Sequence, residues 1–341
     1  MIDILGNEHI RKQFSSMIQQ DRLHHCLLFE GPKGVGKYRN AKWLTQLVLC
    51  PNSNQEAPCG KCHSCLMVEN EEHWNVIHVG LDESKKKMQI SVAQARELIE
   101  QVSTYPRGGG KRVVIIDDAW YMKEDTSNAL LKTFEEPMTD TMFILITTSA
   151  QYMLPTVRSR SQRIRFSPVS ESTIQDWMVQ KGQEVPEQIL ALSQGCPGRV
   201  QDLLMGEYEE WLDNMEMLLS MFSKPLLDVY ELNKRLFDSV KSENASQEKV
   251  LLLNRLLDCM EMLLRDIIVW QTSKNPERLI WKQKHALIEK WALKMDDRCI
   301  ADLHNAIEQA RIDQEINVNG KLQIESLVTL WKKAVALGYI R

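Results

Sequence analysis

The sequence has no long hydrophobic run. None of its apolar stretches approaches the roughly 18 residues that a membrane span needs, so no membrane partner is expected. The opening residues, MIDILGNEHIRKQ, lack a basic region followed by an apolar core, and the chain is therefore expected in the cytoplasm. Excess positive charge is lacking too, since 42 Lys and Arg stand against 46 Asp and Glu, a formal net charge of −4. That sum argues against nucleic-acid binding driven by net charge alone, and any contact with DNA has to come from a local basic surface. A disulfide framework is the third absence. Of eight cysteines, four crowd between Cys50 and Cys65 and the others are scattered, which in a chain without an export signal points to a metal site. What remains is an ordinary folded composition, 43% hydrophobic and 26% charged over 341 residues, long enough for two or three domains.

The segment LLFEGPKGVGKYRN, Leu27 to Asn40, reads as a buried strand, a glycine-rich turn and the first turn of a helix. Gly31, Gly36 and Lys37 stand at the fixed positions of the pattern G-x-x-x-x-G-K-[ST], with Gly34 between them. Backbone N–H groups of such a loop cradle a polyphosphate at a helix N-terminus, and the lysine reaches its outer oxygens. The last position departs from the pattern: Tyr38 stands where a Ser or Thr hydroxyl would hold Mg²⁺. Nucleotide is therefore expected to bind poorly or without turnover.

The helix after the loop ends at Cys50-Pro51, because proline cannot extend it. Cys50, Cys59, Cys62 and Cys65 then place four thiols within sixteen residues, a number and spacing suited to a structural tetrahedral Zn²⁺ site. Four reduced thiols and an iron–sulfur cluster are the alternatives. His63, inside the knuckle, reads as a spacer.

Downstream, NVIHV (Asn75 to Val79) is a strand candidate, and Val92 to Val102 a helix. The run Lys85-Lys86-Lys87 reads as a solvated loop, with a DNA contact as the alternative. RVVIIDDAW, Arg112 to Trp120, contains four consecutive β-branched residues and reads as a parallel strand buried on both faces. Its acids, Asp117 and Asp118, fall at the carboxyl end, the edge where ligands bind in open α/β sheets, and would orient Mg²⁺ and the attacking water; a pair capping the next helix is the alternative. SNALLKTFEEP is a helix stopped by Pro137, MFILITTSA a second buried strand, and Arg163 to Phe166 a third. Strands alternating with helices imply a doubly wound parallel sheet. Strand signals stop at Ser167. Ser172 to Gln175 reads as a capping box opening a helix that Gly182 ends, Pro186 to Ser193 as another, and the chain after Gly206 as amphipathic helix. Mixed charges on those stripes favour helix-on-helix packing over a membrane-surface face.

The order GPKGVGK, the four-cysteine knuckle, VVIIDDA, SNALLKTFEEP, FILITT and LPTVRSRSQ resembles bacterial DNA polymerase III clamp-loader subunits of the AAA+ class. The likeness is strongest over residues 1–205. Over 206–341 it rests on helical pattern and length. It implies an α/β fold followed by all-α: an AAA+ P-loop domain over 1–167 with the zinc knuckle at 50–65, a small helical lid domain over 168–206, and a helical collar domain over 207–341. In that family a Ser-Arg-Cys segment projects its arginine into the ATP site of the neighbouring subunit. The matching residues are Ser159, Arg160 and Ser161, so Arg160, with Ser159, is the expected finger acting in trans, and Arg158 is a rival by position. Thr147 matches the polar group that reads the γ-phosphate from the fourth strand. Gly198 stands where motor subunits carry an arginine, and Arg199 is about 100° further round a helix. Tyr38, Asp118 in place of the usual Glu, and Gly198 together imply that the chain's own ATPase has decayed, with ATP and Mg²⁺ bound weakly or not at all. The implied partners are the other clamp-loader subunits (gamma/tau and delta), the sliding clamp and, at the level of the complex, primed DNA. An active, ATP-hydrolysing gamma/tau-like motor is the competing expectation. A free-standing nucleotide kinase is a third, poorly served by the long helical C-terminal third.

Overall fold

The computed structural model describes residues 3–81, 89–239, 245–313 and 319–337. The lysine run at 85–87 lies outside the described residues. The chain divides into two compact units, 1–203 and 204–341.

The first unit is built on five parallel strands: β1 (Cys26–Glu30), β2 (Val76–Val79), β3 (Arg112–Ile116), β4 (Thr141–Thr147) and β5 (Gln162–Arg165). Their order is β2-β3-β4-β1-β5, with β1 held between β4 and β5. Every residue of β3 and β4 is buried, as their near-continuous apolar runs require of strands covered on both faces. Side chains alternate between two cores. Leu27, Phe29, Val113, Ile115, Ile144 and Ile146 point into one, with Phe14 and Leu44 from α1 (Glu8–Gln19) and α2 (Lys37–Leu49). Leu28, Val114, Ile116, Phe143 and Leu145 point into the other, with Leu98 and Leu130 from α4 (Val92–Ser103) and α5 (Glu124–Glu135). The short α3 (His63–Glu69) and α6 (Pro155–Arg158) complete this part.

The strand expected over Arg112 to Trp120 is shorter. It stops at Ile116, because Asp118 takes a left-handed backbone (φ 47°) and a 3₁₀ turn follows over Ala119–Tyr121. That stop leaves both acids at the carboxyl edge. Beyond β5 come α7 (Glu171–Gln180), α8 (Glu187–Ser193) and α9 (Pro197–Asp202). The cap of α7 is Ser170, whose side chain accepts the Thr173 N–H. Ser172 is already inside the helix, so the expected capping box there is replaced by one hydrogen bond two residues earlier.

The second unit contains six α-helices among the described residues: α10 (Tyr208–Ser223), α11 (Leu226–Ser239), α12 (Ala245–Ser273), α13 (His285–Ala292), α14 (Asp297–Asp313) and α15 (Gly320–Leu337). The long α12 packs against α10, α13, α14 and α15. Its apolar stripes are buried against one another, as at Trp211, Met215 and Leu218 of α10. Trp331 is wholly buried, stacked on Phe222 and edge-on to Trp291. Asp266 is equally buried and accepts the N–H groups of Ile280 and Trp281, pinning the turn before α13 to α12. Among the described residues no helix is long and apolar enough to cross a membrane.

Candidate functional site

The glycine-rich turn leaves the end of β1 and enters α2 through Gly36, whose left-handed φ of 100° closes the loop onto the helix. Lys37 is the first residue of α2 and is almost fully buried. Its ammonium donates to the carbonyls of Gly31 (2.6 Å) and Pro32 (2.8 Å), the loop's own backbone. Burial pushes its pKa down to about 8 against the opposing pull of Asp118 and Asp117. Asp117 in turn is raised, first by burial and then by the charge of Asp118, and it accepts the Asp118 N–H at 2.9 Å.

The loop is closed from the other side by α9. The Gly198 N–H donates to the carbonyl of Gly34 at 2.8 Å. Gly34 has φ 79°, and a Cβ there would lie 2.8 Å from the Arg199 nitrogen; a Cβ on Gly198 would lie 3.0 Å from the Gly34 Cα and oxygen. Both glycines are needed for the two backbones to touch. Gly198 therefore has a positive role that its reading as a lost arginine did not disclose.

Tyr38 turns away from the loop. Its hydroxyl lies 3.2 Å from Nδ1 of His78 on β2, and Lys42 sits over its ring. Burial raises the Tyr38 pKa and lowers that of His78, which keeps both groups neutral at pH 7. With the phenol oxygen so placed, no side-chain hydroxyl at position 38 faces the loop. The residues present therefore do not match the set that holds Mg²⁺ on a bound triphosphate. His78 was not singled out in sequence. The signal for it was that NVIHV sets a polar ring in a strand while Tyr38 needs somewhere to put its bulk.

Thr147 is fully buried at the end of β4 and donates to the Ser149 carbonyl at 2.9 Å. It is Thr148 that lines the adjoining cavity, a space of about 300 Å³ bounded by Lys33 to Arg39, the acid pair, Trp177, Pro197 and Gly198. Gly34, Gly36, Lys37, Tyr38, Asp117 and Asp118 are thus brought together around one space, while Gly31 and Thr147 stand behind its wall.

At its far end α2 reaches the cysteines. Cys50 caps the helix, and the sulfurs of Cys50, Cys59, Cys62 and Cys65 all lie within 4.8 Å of one another. The Cys50–Cys62 and Cys59–Cys65 separations are 3.8 and 4.0 Å. A tetrahedron with metal–sulfur bonds of about 2.3 Å has edges of about 3.8 Å, so the four can hold a metal ion as they stand. The N–H groups of Cys59, Cys62 and Cys65 point at the sulfurs of Cys50, Cys59 and Cys62, which suits charged thiolates. Gln46 of α2 donates to the Cys65 carbonyl and ties this loop back to the phosphate-loop helix.

Arg160 lies elsewhere, just past α6. Its Nε donates to Glu135 at 2.5 Å, its Nη1 to the Thr156 carbonyl at 2.9 Å, and the Ser159 hydroxyl is 3.4 Å away. Ser159 donates to Thr156 and Ser161 to the Val157 carbonyl, so the serines on either side fasten the turn.

A family described as DNA polymerase III, delta subunit, matches residues 6–170. The DNA polymerase III subunit delta' of Escherichia coli (strain K12) is 30% identical over 229 residues, 65% of this chain and 68% of that protein. This chain belongs to the delta' family of DNA polymerase III clamp-loader subunits. The delta' subunit of Bacillus subtilis (strain 168) is 27% identical over 329 residues, 94% of both chains. Subunit tau of the same organism is 27% identical over 302 residues, 83% of this chain, which spans about half (52%) of tau. The fold is accordingly that of an AAA+ clamp-loader subunit: a parallel-sheet P-loop domain followed by helices.

Proposed function

We propose that this delta'-family chain is a non-hydrolysing subunit of a clamp loader, placing a ring-shaped sliding clamp on primed DNA in the cytoplasm. It works beside gamma/tau and delta subunits and supplies Arg160 to a neighbour's ATPase. The observation that carries this reading is the state of the phosphate loop. Lys37 is spent on the Gly31 and Pro32 carbonyls, the Gly34 carbonyl on the Gly198 N–H, and the Tyr38 hydroxyl on His78. A triphosphate entering this loop has to break those contacts without the hydroxyl that would hold its metal. Arg160, by contrast, is partly exposed (31%) and, beside its bonds to Glu135 and Thr156, keeps Nη2 without a partner among the described residues. A planar guanidinium spreads its donors over the oxygens of a transferring phosphoryl group and, in such fingers, raises rates by roughly 10³ to 10⁵.

Residues 1–167 form the AAA+ domain in this reading, 168–206 the lid and 207–341 the collar that joins subunits. The metal at Cys50, Cys59, Cys62 and Cys65 is structural zinc. The thiols take all four tetrahedral positions, so no open position is left for catalysis.

Titrating the isolated chain with ATP, with and without Mg²⁺, and following phosphate release tests the reading. Negligible turnover is expected. Turnover of about 1 s⁻¹ or faster, in the range of working ATPases, supports the alternative, a gamma/tau-like motor. That alternative draws on the similarity to tau and on the retained Lys37 and Asp117.

A further inference from the structure

Glu135, the first glutamate of the FEEP sequence, belongs neither to the phosphate loop nor to the cysteine cluster. It is the last residue of α5, twenty-five positions before Arg160, and its carboxylate accepts the Arg160 Nε–H at 2.5 Å. The opposite side of the same guanidinium is held by the Thr156 carbonyl and the Ser159 hydroxyl through Nη1. Nη2 has no partner among the described residues, and the arginine side chain is 31% exposed. The group is thus held at Nε and at Nη1, and Nη2 alone is left open.

That arrangement is a poor device for stability. Both side chains reach solvent, Glu135 at 46% exposure, and exposed ion pairs contribute little to folding. It is a good device for orientation. Arginine has four rotatable bonds, and their freedom is lost when the group docks on a neighbour's phosphate. Fixing the plane beforehand removes that cost from the docked state. With Nε on the carboxylate and Nη1 on the Thr156 carbonyl, Nη2 remains as the donor for phosphoryl oxygens, so one guanidinium can serve both at once.

We propose that Glu135 is a positioning residue that holds the Arg160 guanidinium with its Nη2 edge presented to the ATP site of the adjacent subunit. This rests on the reading of Arg160 as a finger acting in trans.

The test is ATP hydrolysis by the fully assembled clamp loader carrying Glu135→Ala, Glu135→Gln, Glu135→Asp or Arg160→Ala, with assembly checked by gel filtration. Glu135→Ala is expected to lower kcat about tenfold, the scale of the rotamer freedom returned to arginine, with KM within about twofold of the parent. Glu135→Gln keeps an acceptor for Nε and is expected to stay within about threefold; Glu135→Asp, one methylene shorter, falls between the two. A purely structural glutamate would change the yield of complex and leave kcat per complex alone. Parental kcat in Glu135→Ala, or Glu135→Gln as impaired as Glu135→Ala, overturns the positioning role if Arg160→Ala still collapses the rate. Full activity in Arg160→Ala overturns the finger and the positioning residue together.

Discussion

The phosphate loop, at the carboxyl edge of the sheet after β1, and the Arg160 turn, at the amino edge just before β5, are both short cationic segments, and they spend their charges in opposite ways. At the loop, Lys37 is buried, its donors face two carbonyls of its own turn, and α9 lies across the top through the Gly34–Gly198 hydrogen bond. At the turn, Arg160 is held at Nε and Nη1 and keeps Nη2 without a partner among the described residues. The loop has the shape of a catalytic element with its polar groups satisfied internally. The turn has little shape of its own but keeps one guanidinium nitrogen without a partner among the described residues. In a subunit of an assembly, the residue that matters for chemistry is the one whose bonding is left incomplete.

The largest expected effect comes from the metal, because α2 joins the loop at Lys37 to the thiols at Cys50. Structural zinc contributes on the order of 10–16 kcal/mol in small zinc peptides. One zinc per chain is expected by elemental analysis, and stripping it should abolish amide-exchange protection over residues 50–65 and lower the melting temperature sharply. Unchanged protection after complete removal would sink the structural role. The next effect is at the closed loop. Gly34→Ala forces a Cβ to 2.8 Å from the Arg199 nitrogen at a φ of 79°, and should cost about 1–3 kcal/mol by urea denaturation. Gly198→Ala, with its closest contacts at 3.0 Å and an ordinary φ, should cost less. Wild-type stability in both variants would mean that α9 does not pack on the loop.

The smallest is a pH effect. Burial lowers the Lys37 pKa to about 8 from an ordinary 10.5, so between those values the unfolded chain binds more protons than the folded one. Stability contributed by this group therefore rises as pH rises from about 8 to 10.5. Lys37→Met should lack that rise when denaturation midpoints of the two proteins are compared across the window. Parallel profiles would show that the amine is not buried as described.

Much of the frame was legible in the sequence, because unbroken runs such as Val113 to Ile116 leave few alternatives to a strand covered on both faces. The clustering of Cys50, Cys59, Cys62 and Cys65 was legible for a similar reason: their spacing is local. What could not be read are contacts between residues far apart in the chain. Gly34 and Gly198 meet across 164 positions, and Glu135 meets Arg160 from a different helix. The role of Gly198 against Gly34 stands beside its reading as a lost arginine and has no local signature. The cap of α7 was misplaced because Ser170 and Ser172 are equally good capping residues, and only the backbone decides which lies outside the helix. The strand order β2-β3-β4-β1-β5 likewise has no local signature.

The central claim, that this chain's catalytic contribution lies at Arg160 and not at its own loop, is tested most directly by one paired measurement. ATP hydrolysis by the assembled clamp loader is compared with either Lys37→Ala or Arg160→Ala in this subunit alone. The account predicts a fall of roughly 10³-fold or more at the neighbour's site with Arg160→Ala, and a rate within about twofold of the parent with Lys37→Ala. The reverse pattern, a loss with Lys37→Ala and none with Arg160→Ala, would contradict it.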